Sequence, residues 1–263
     1  MKAMMSSLAR LLVLLLLSVV ALQLYFLARV ALMTVVDPQS TAFQRSEAWR
    51  LLTEKRQLRW SQQWVDYDRI SPNLKRAVIA SEDSGFTEHS GVEWDALERA
   101  WERNQLAEAR AEALNERAAR QTPTITGTKA APAKPLKRVQ ARVVGGSTIT
   151  QQLAKNLFLG GERSLARKAQ EFVITAMLEG LLSKQRILEI YLNNVEWGEG
   201  VFGAQAASQH YFRVGADALA GMQSAQLAVM LPAPKRFEKR PGSPYVLGRA
   251  STVLARMGAV EPP

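Results

Sequence analysis

Glu82 and Asp83 stand side by side at the end of an apolar-periodic segment, followed closely by Phe86, His89 and Gly91. Such a boundary between helix and loop can hold a carboxylate out into a cleft. An apolar wall such as Phe86 can raise a carboxyl pKa by desolvation, as a general base working near neutrality requires. A polar helix end whose acids cap neighbouring groups would look the same. Both readings stay open on these residues alone.

A second group lies in Gly145-Gly146-Ser147-Thr148-Ile149-Thr150-Gln151-Gln152-Leu153-Ala154-Lys155-Asn156. Ile149, Leu153 and Leu157 form an apolar stripe, which leaves Thr148, Gln151, Gln152 and Lys155 side by side on a polar face. Glycines and hydroxyls at a helix start offer backbone donors and a positive dipole end to an anion. Gln and Lys can then bond sugar or phosphate; a solvated face behind an ordinary cap is the alternative. In the third group Arg167 and Lys168 lie one helical turn before Glu171, with Arg163 a turn earlier still. A surface ion pair worth about 0–1 kcal/mol explains this arrangement blandly. A phosphate site beside a catalytic carboxylate explains it sharply.

Two other signals carry less. Gly198-Glu199-Gly200-Val201-Phe202-Gly203 matches the dinucleotide-binding G-x-G-x-x-G pattern. It follows a segment that reads as helix rather than the strand of a βαβ unit, so it is read as a tight loop allowing close packing. With two distant histidines and no cysteine, a dedicated protein metal site is not expected. The expectation is no tightly bound cofactor, and at most a divalent cation such as Mg²⁺ shared with substrate phosphates.

The elements that must position these groups read as helices throughout. Ser71-Pro72 is a cap followed by proline at the first helical position. Val92–Trp101 places Trp94, Leu97 and Trp101 on one face. Ser147–Phe158 follows, then a segment capped by Ser164 running through Leu182 with an end or kink near Gly180. Ser183 caps the next, through Leu192, and Ala204–Phe212, Ala216–Leu231 and Pro244–Met257 read likewise. No convincing alternating strand appears, so the fold class is mainly α. Between Asn104 and Arg120 the chain is Ala/Glu/Arg-rich, and from Gln121 to Arg142 it carries three prolines among basic residues. This reads as an exposed helical extension running into a flexible basic linker.

At the other end, Leu11 to Ala28 is an uncharged run of 18 residues. Spanning a bilayer takes about 20 apolar residues, whereas the apolar part of a cleaved signal peptide is about 7–15 long. Bulky Leu22, Leu24, Tyr25, Phe26 and Leu27 at its far end favour an uncleaved anchor. Lys2 and Arg10 before the span put the short tail in the cytoplasm and the rest outside. Net charge is +10, of which residues 37–263 hold +7. A basic chain outside the membrane suits anionic lipid or a phosphorylated, lipid-linked substrate better than nucleic acid.

In this order the motifs resemble glycosyltransferase family 51, the peptidoglycan glycosyltransferases. They are Glu82-Asp83-x-x-Phe86-x-x-His89-x-Gly91; Gly146-Ser147-Thr148-Ile149-Thr150-Gln151-Gln152-Leu153-x-Lys155-Asn156; Arg167-Lys168-x-x-Glu171; Lys184-x-x-Ile187-Leu188-Glu189-x-Tyr191-Leu192-Asn193; and Gly200-x-x-Gly203-x-x-x-Ala207-x-x-x-Tyr211-Phe212. The resemblance implies a mainly α, lysozyme-like glycosyltransferase domain over residues 37–263, preceded by a tail and transmembrane anchor in residues 1–36. The stretch at about 104–142 stands as an atypical basic insert, and Glu93 replaces the family's usual Asp.

By the same resemblance, Glu82 is the base that deprotonates the acceptor GlcNAc 4-hydroxyl of lipid II. That oxygen inverts the donor MurNAc anomeric carbon, forming a β-1,4 bond and releasing undecaprenyl diphosphate. Glu171 is the second active-site carboxylate. Lys155, Arg163, Arg167 and Lys168 hold the diphosphate, and Ser147, Thr148, Gln151 and Gln152, with Asp83, Phe86 and His89, complete the substrate-binding cleft. With no Ser-x-x-Lys, Ser-x-Asn or Lys-Thr-Gly motif, the chain looks like the monofunctional form of Gram-negative inner membranes. Its implied partners are lipid II, the growing strand and membrane lipids, with cell-wall synthesis or division proteins. A membrane-anchored glycan hydrolase also uses two carboxylates, though a neutral glycan needs no cationic clamp. A non-catalytic scaffold using the basic insert is the third reading.

Overall fold

The computed structural model describes residues 2–121, 139, 146–162 and 164–263. They fall into two units, Met1–Val92 with Thr148–Pro263, and Glu93–Ser147. The first unit opens with α1 (Lys2–Leu32), α2 (Ala42–Arg50) continued by a π-helical turn, β1 (Ser61–Gln62) and α3 (Pro72–Glu82). The second unit contains α4 (Trp94–Gln121). The first then resumes with α5 (Ile149–Phe158), α6 (Leu165–Leu181), α7 (Lys184–Asn194), β2 (Glu196–Gly198), β3 (Val201–Phe202), α8 (Ala204–Phe212), α9 (Gly221–Met230), α10 (Pro234–Phe237) and α11 (Pro244–Arg256).

Local sequence sets most of these boundaries. Side chains of Thr41, Ser71, Thr148, Ser164, Ser183 and Ser243 each accept a backbone N–H at the start of a helix. Caps of this kind are worth about 1 kcal/mol each. The expected helices are therefore present with small shifts: α5 starts after Thr148 rather than Ser147, and α6 runs through Gly180. The segment from Ala216 divides into a short 3₁₀ turn and α9. Inside the first unit α3 packs against α9 and α11, and α5 against α6 and α7. Leu74, Ile79, Ile149, Leu153, Ile174, Leu178, Tyr191 and Trp197 are fully buried there.

The fold is mainly α as expected, with one small sheet that the sequence did not announce. β3 lies between β1, which runs parallel to it, and β2, which is antiparallel. Each strand is two or three residues long, too short for alternation to register. The glycine run belongs to this hairpin. Gly200 and Gly203 have φ of +76° and +82°, and a Cβ on them would fall 2.0 Å from the Arg59 carbonyl oxygen and 2.6 Å from that of Asn193. The glycines serve close backbone approach, not a nucleotide.

In α1, the 26 residues Ser7–Leu32 are long and apolar enough to cross a membrane. Phe26, Val30 and Met33 are buried, while residues 7–22 are all exposed. Just beyond the helix, Arg186 of α7 holds the chain at two points. It donates to the Met33 carbonyl (2.9 Å), Asp37 (2.7 Å) and Glu189 (2.6 Å), with its guanidinium 5.5 Å over the Trp64 ring.

In the second unit α4 is one unbroken helix, where two segments meeting near Trp101 were expected. Its 28 residues contain no glycine or proline, and Ala, Leu, Glu and Arg predominate, so nothing in the sequence stops it. Trp94 and Trp101 are each 67% exposed; among the described residues of α4 the buried positions are Ala100 and Ala111. At Ala100 a small residue suits the close approach of Gly146, where a Cβ would lie 3.1 Å from that of Ala100. The Asn115 side chain bonds the Val139 backbone N–H and C=O at 2.8 and 3.0 Å. Lys129, Lys134, Lys137, Arg138 and Arg142 of the basic stretch lie outside the described residues.

Candidate active site

α3 ends where its chemistry begins. Ser71 and Pro72 start the helix, Leu74, Ala77, Val78 and Ile79 bury one side, and Glu82 is its last residue. Asp83 leaves the helix (φ −163°, ψ 75°), and the chain turns through Ser84-Gly85 to Phe86, whose ring is fully buried with the Lys184 ammonium 4.7 Å over it.

Asp83 locks this turn onto α5. One of its oxygens accepts the Ile149 backbone N–H at 2.9 Å and the other pairs with His89 Nε2 at 2.7 Å. His89 Nδ1 accepts the Gly91 N–H (3.1 Å), so the hydrogen-bond pattern assigns the proton to Nε2. Thr148 and Gln151 form a capping box, with the Thr148 hydroxyl also donating to the Gly91 carbonyl at 2.7 Å. At the start of α5 the Ile149 N–H is thus taken by Asp83 and the Gln151 N–H by the Thr148 cap. Asp83, Phe86, Thr148 and Gln151 are buried, and His89 is committed on both nitrogens. These five were expected to bind substrate; in the structure their side chains hold the turn after α3 against the start of α5.

Lys184 completes the brace. It donates to the His89 carbonyl (2.6 Å) and pairs with Glu179 (2.8 Å), which also accepts from the Thr150 hydroxyl (2.5 Å). Gly91, at φ +84°, lies so close to α6 that a Cβ would come 2.7 Å from Thr175 Cγ2.

Glu82 is the half-buried carboxylate of the turn, and burial pushes its pKa above the ordinary value. The Asp83 charge raises it further, while the Gln152 hydrogen bond (3.0 Å) and the Lys155 charge pull it back only in part. Gln152 is itself held by the Tyr191 hydroxyl, which donates to its amide oxygen at 2.9 Å. Burial, with the charges of Glu82 and Asp83, raises the Tyr191 pKa well above its usual range, so that hydroxyl keeps its proton. Tyr191 received no role from the sequence; its signal was a hydroxyl set within the apolar run Ile187 to Leu192.

On α6 the buried carboxylate of Glu171 pairs with Arg167 (3.0 Å) and Lys168 (2.5 Å), as the one-turn spacing requires. Lys155 of α5 feels the charge of both carboxylates, and of Arg167 and Lys168. Its side chain reaches solvent but has protein on enough sides for burial to lower its pKa. Among the described residues it makes no hydrogen bond or ion pair. Arg167 Nε is also a buried donor without a described partner. The structure therefore gathers Glu82, Gln152, Lys155, Arg167, Lys168 and Glu171. Ser147 belongs to the other unit and Arg163 lies outside the described residues. The gathered groups can take a proton at Glu82 and neutralise a developing anion at Lys155 and Arg167.

A family described as transglycosylase matches this chain over residues 50–113 and 125–258. The chain is 50% identical over 244 residues to a biosynthetic peptidoglycan transglycosylase of Burkholderia thailandensis, covering 92% of this chain and 82% of that one. The corresponding protein of Burkholderia pseudomallei is 49% identical with the same coverage. That of Paraburkholderia xenovorans is 46% identical over 92% of this chain and 88% of its own length.

Proposed function

The chain belongs to the transglycosylase family, and we infer from that membership that it is a peptidoglycan glycosyltransferase, which polymerises lipid II into glycan strands. What carries the assignment of roles within it is Glu82, a carboxylate of raised pKa held by a neutral amide and near a lysine that has no partner among the described residues. Glu82 is the general base. It takes the proton of the acceptor GlcNAc 4-hydroxyl as that oxygen attacks the donor anomeric carbon. The β-1,4 bond forms with inversion as the bond to the undecaprenyl diphosphate breaks.

The leaving diphosphate is already a good one, so positioning and charge neutralisation contribute most of what remains. Lys155 and Arg167 have donors to offer it, with Lys168 and Arg163 adding positive charge. Glu171 keeps Arg167 and Lys168 extended toward the same place. This cationic set also argues against a hydrolase, since a neutral glycan has no diphosphate to hold. No tightly bound cofactor is required by these roles. Both oxygens of Asp83 and of Glu171 are engaged, so a divalent cation such as Mg²⁺ would be held largely by the substrate diphosphate.

Residues 1–36 anchor the enzyme in the bacterial inner membrane, with the amino terminus cytoplasmic and the catalytic residues outside, next to the substrate's lipid. Cell-wall synthesis or division proteins are the partners that such a location offers. The test is incubation of the full chain in detergent or bilayer with labelled lipid II. Long strands should appear, and Glu82→Gln should lower their formation at least ~100-fold while folding and membrane insertion persist. Normal polymerisation by Glu82→Gln would remove the assigned base.

A further inference from the structure

The buried face of α1 begins with a polar residue. Gln23, Phe26, Val30 and Met33 follow one another at spacings of three and four, a single seam along the helix. Phe26 meets Phe158, the last residue of α5, edge to face at a ring separation of 5.3 Å. Gln23 exchanges two hydrogen bonds with Gln170 of α6, at 2.8 and 3.0 Å, each amide donating once and accepting once. Gln23 also interrupts the longest uncharged stretch of the chain, where an amide without a partner costs about 2–7 kcal/mol.

The places these contacts reach are specific. Gln170 immediately precedes Glu171 and lies between it and the Arg167–Lys168 pair. Phe158 lies one helical turn after Lys155. One seam of α1 therefore bears on both helices that carry the cations. In a bilayer, apolar seams alone fix helix rotation and depth weakly, because lipid solvates leucine as well as a neighbouring helix does. A directional polar pair selects one register, as a single buried Asn does in a coiled coil.

We propose that Gln23 and Gln170 are positioning residues for the glycosyl transfer: their paired amides fix the register of α6 on the membrane helix and so present Lys155, Arg167, Lys168 and Glu171 to the lipid-linked diphosphate. This rests on the lipid II reading above. Loss of the pair lets α6 shift against the bilayer, so the diphosphate meets its cations in the wrong geometry. Turnover then falls more than substrate capture does.

The test uses the full chain in nanodiscs containing lipid II. Because the chain has no cysteine, Gln23→Cys with Gln170→Cys supplies two unique thiols for a short, reducible bis-thiosulfonate linker. Strand synthesis by the unbridged pair should fall about tenfold in kcat with KM within twofold; bridging should restore at least half of the original kcat, and reductant should abolish the gain. Gln23→Leu with Gln170→Leu, which leaves no unpaired amide, should unfold at the same temperature as the parent yet remain about tenfold slow. Parent-like kcat in the Leu pair or in the unbridged Cys pair, failure of the thiols to bridge, or bridging without recovery would each overturn the proposal. Should the parent protein make no strands from lipid II, it is the function reading that fails, and thiol bridging still reports the contact separately.

Discussion

Burial raises the pKa of two glutamates outside the membrane helix: Glu82 at the end of α3, and Glu196 in β2, which reaches about 7. Their surroundings differ in kind. Glu82 is half-buried, bonded through one oxygen by a neutral amide, and close to a lysine with no described partner. Glu196 is sealed, with Lys235 at 3.6 Å. That lysine pairs more closely with Glu47, at 2.6 Å, and Arg50 also pairs with Glu47. Burial works against the Glu47 charge, but hydrogen bonds from Arg50 and Lys235 hold its pKa below the ordinary value. A raised pKa alone therefore does not identify a base. Access for a substrate proton and a nearby cation with no partner among the described residues separate the cleft from the structural cluster.

Three experiments press on that contrast. The largest effect belongs to Lys155, the cation of the cleft without a partner among the described residues. Lys155→Met should slow strand synthesis about 100-fold, in the range seen when one stabilising donor of a transition state is removed; a rate within twofold of the parent would make Lys155 as structural as Lys235. Tyr191→Phe should act next, lowering kcat about fivefold. It loosens Gln152, whose hydrogen bond favours the charged form of Glu82, so the Glu82 pKa should rise further. The base works deprotonated, so the acid limb of the pH–rate profile should move to higher pH. An unmoved limb would cut Tyr191 out of the relay.

Glu196→Gln should leave the rate within twofold and show itself in stability alone. The folded pKa of about 7 exceeds the ordinary 4.5, so across that window the folded state holds more protons and stability falls as pH rises. Removing the carboxyl should stabilise the protein at pH 8, on the order of 1–3 kcal/mol, and less at pH 5. Chemical denaturation at both pH values reads this directly. Equal effects at the two would show that Glu196 does not titrate as described.

Most of the helical framework was legible because hydroxyl caps and prolines mark helix starts within a few residues. The same local rules left two uses open for Thr148 and Gln151, since a polar helix start serves a substrate or a neighbouring carboxylate equally well. Only the fold brings Asp83 there, 66 residues away. Arg167, Lys168 and Glu171 were readable for the opposite reason, because their spacing alone makes them neighbours. The shared face of Trp94 and Trp101 was readable, but bulk and spacing do not say which face of a long helix is covered. Tyr191 was quoted in a motif but given no role, and Gln23 escaped notice, because each sits in an apolar run, where a polar head looks incidental until its partner arrives from a distant helix.

The grip of Arg186 on the residues leaving α1 has a consequence for how the work is organised in space. A loose linker of n residues would let a domain wander about 5–6 Å × √n from its anchor. Here Met33 and Asp37 are clasped to α7, so the anchor acts as a bracket rather than a leash. With α1 in a bilayer, Glu82 and Lys155 would keep a constant height over it. As a strand lengthens, the finished polymer has to travel, because the enzyme has no slack with which to follow it.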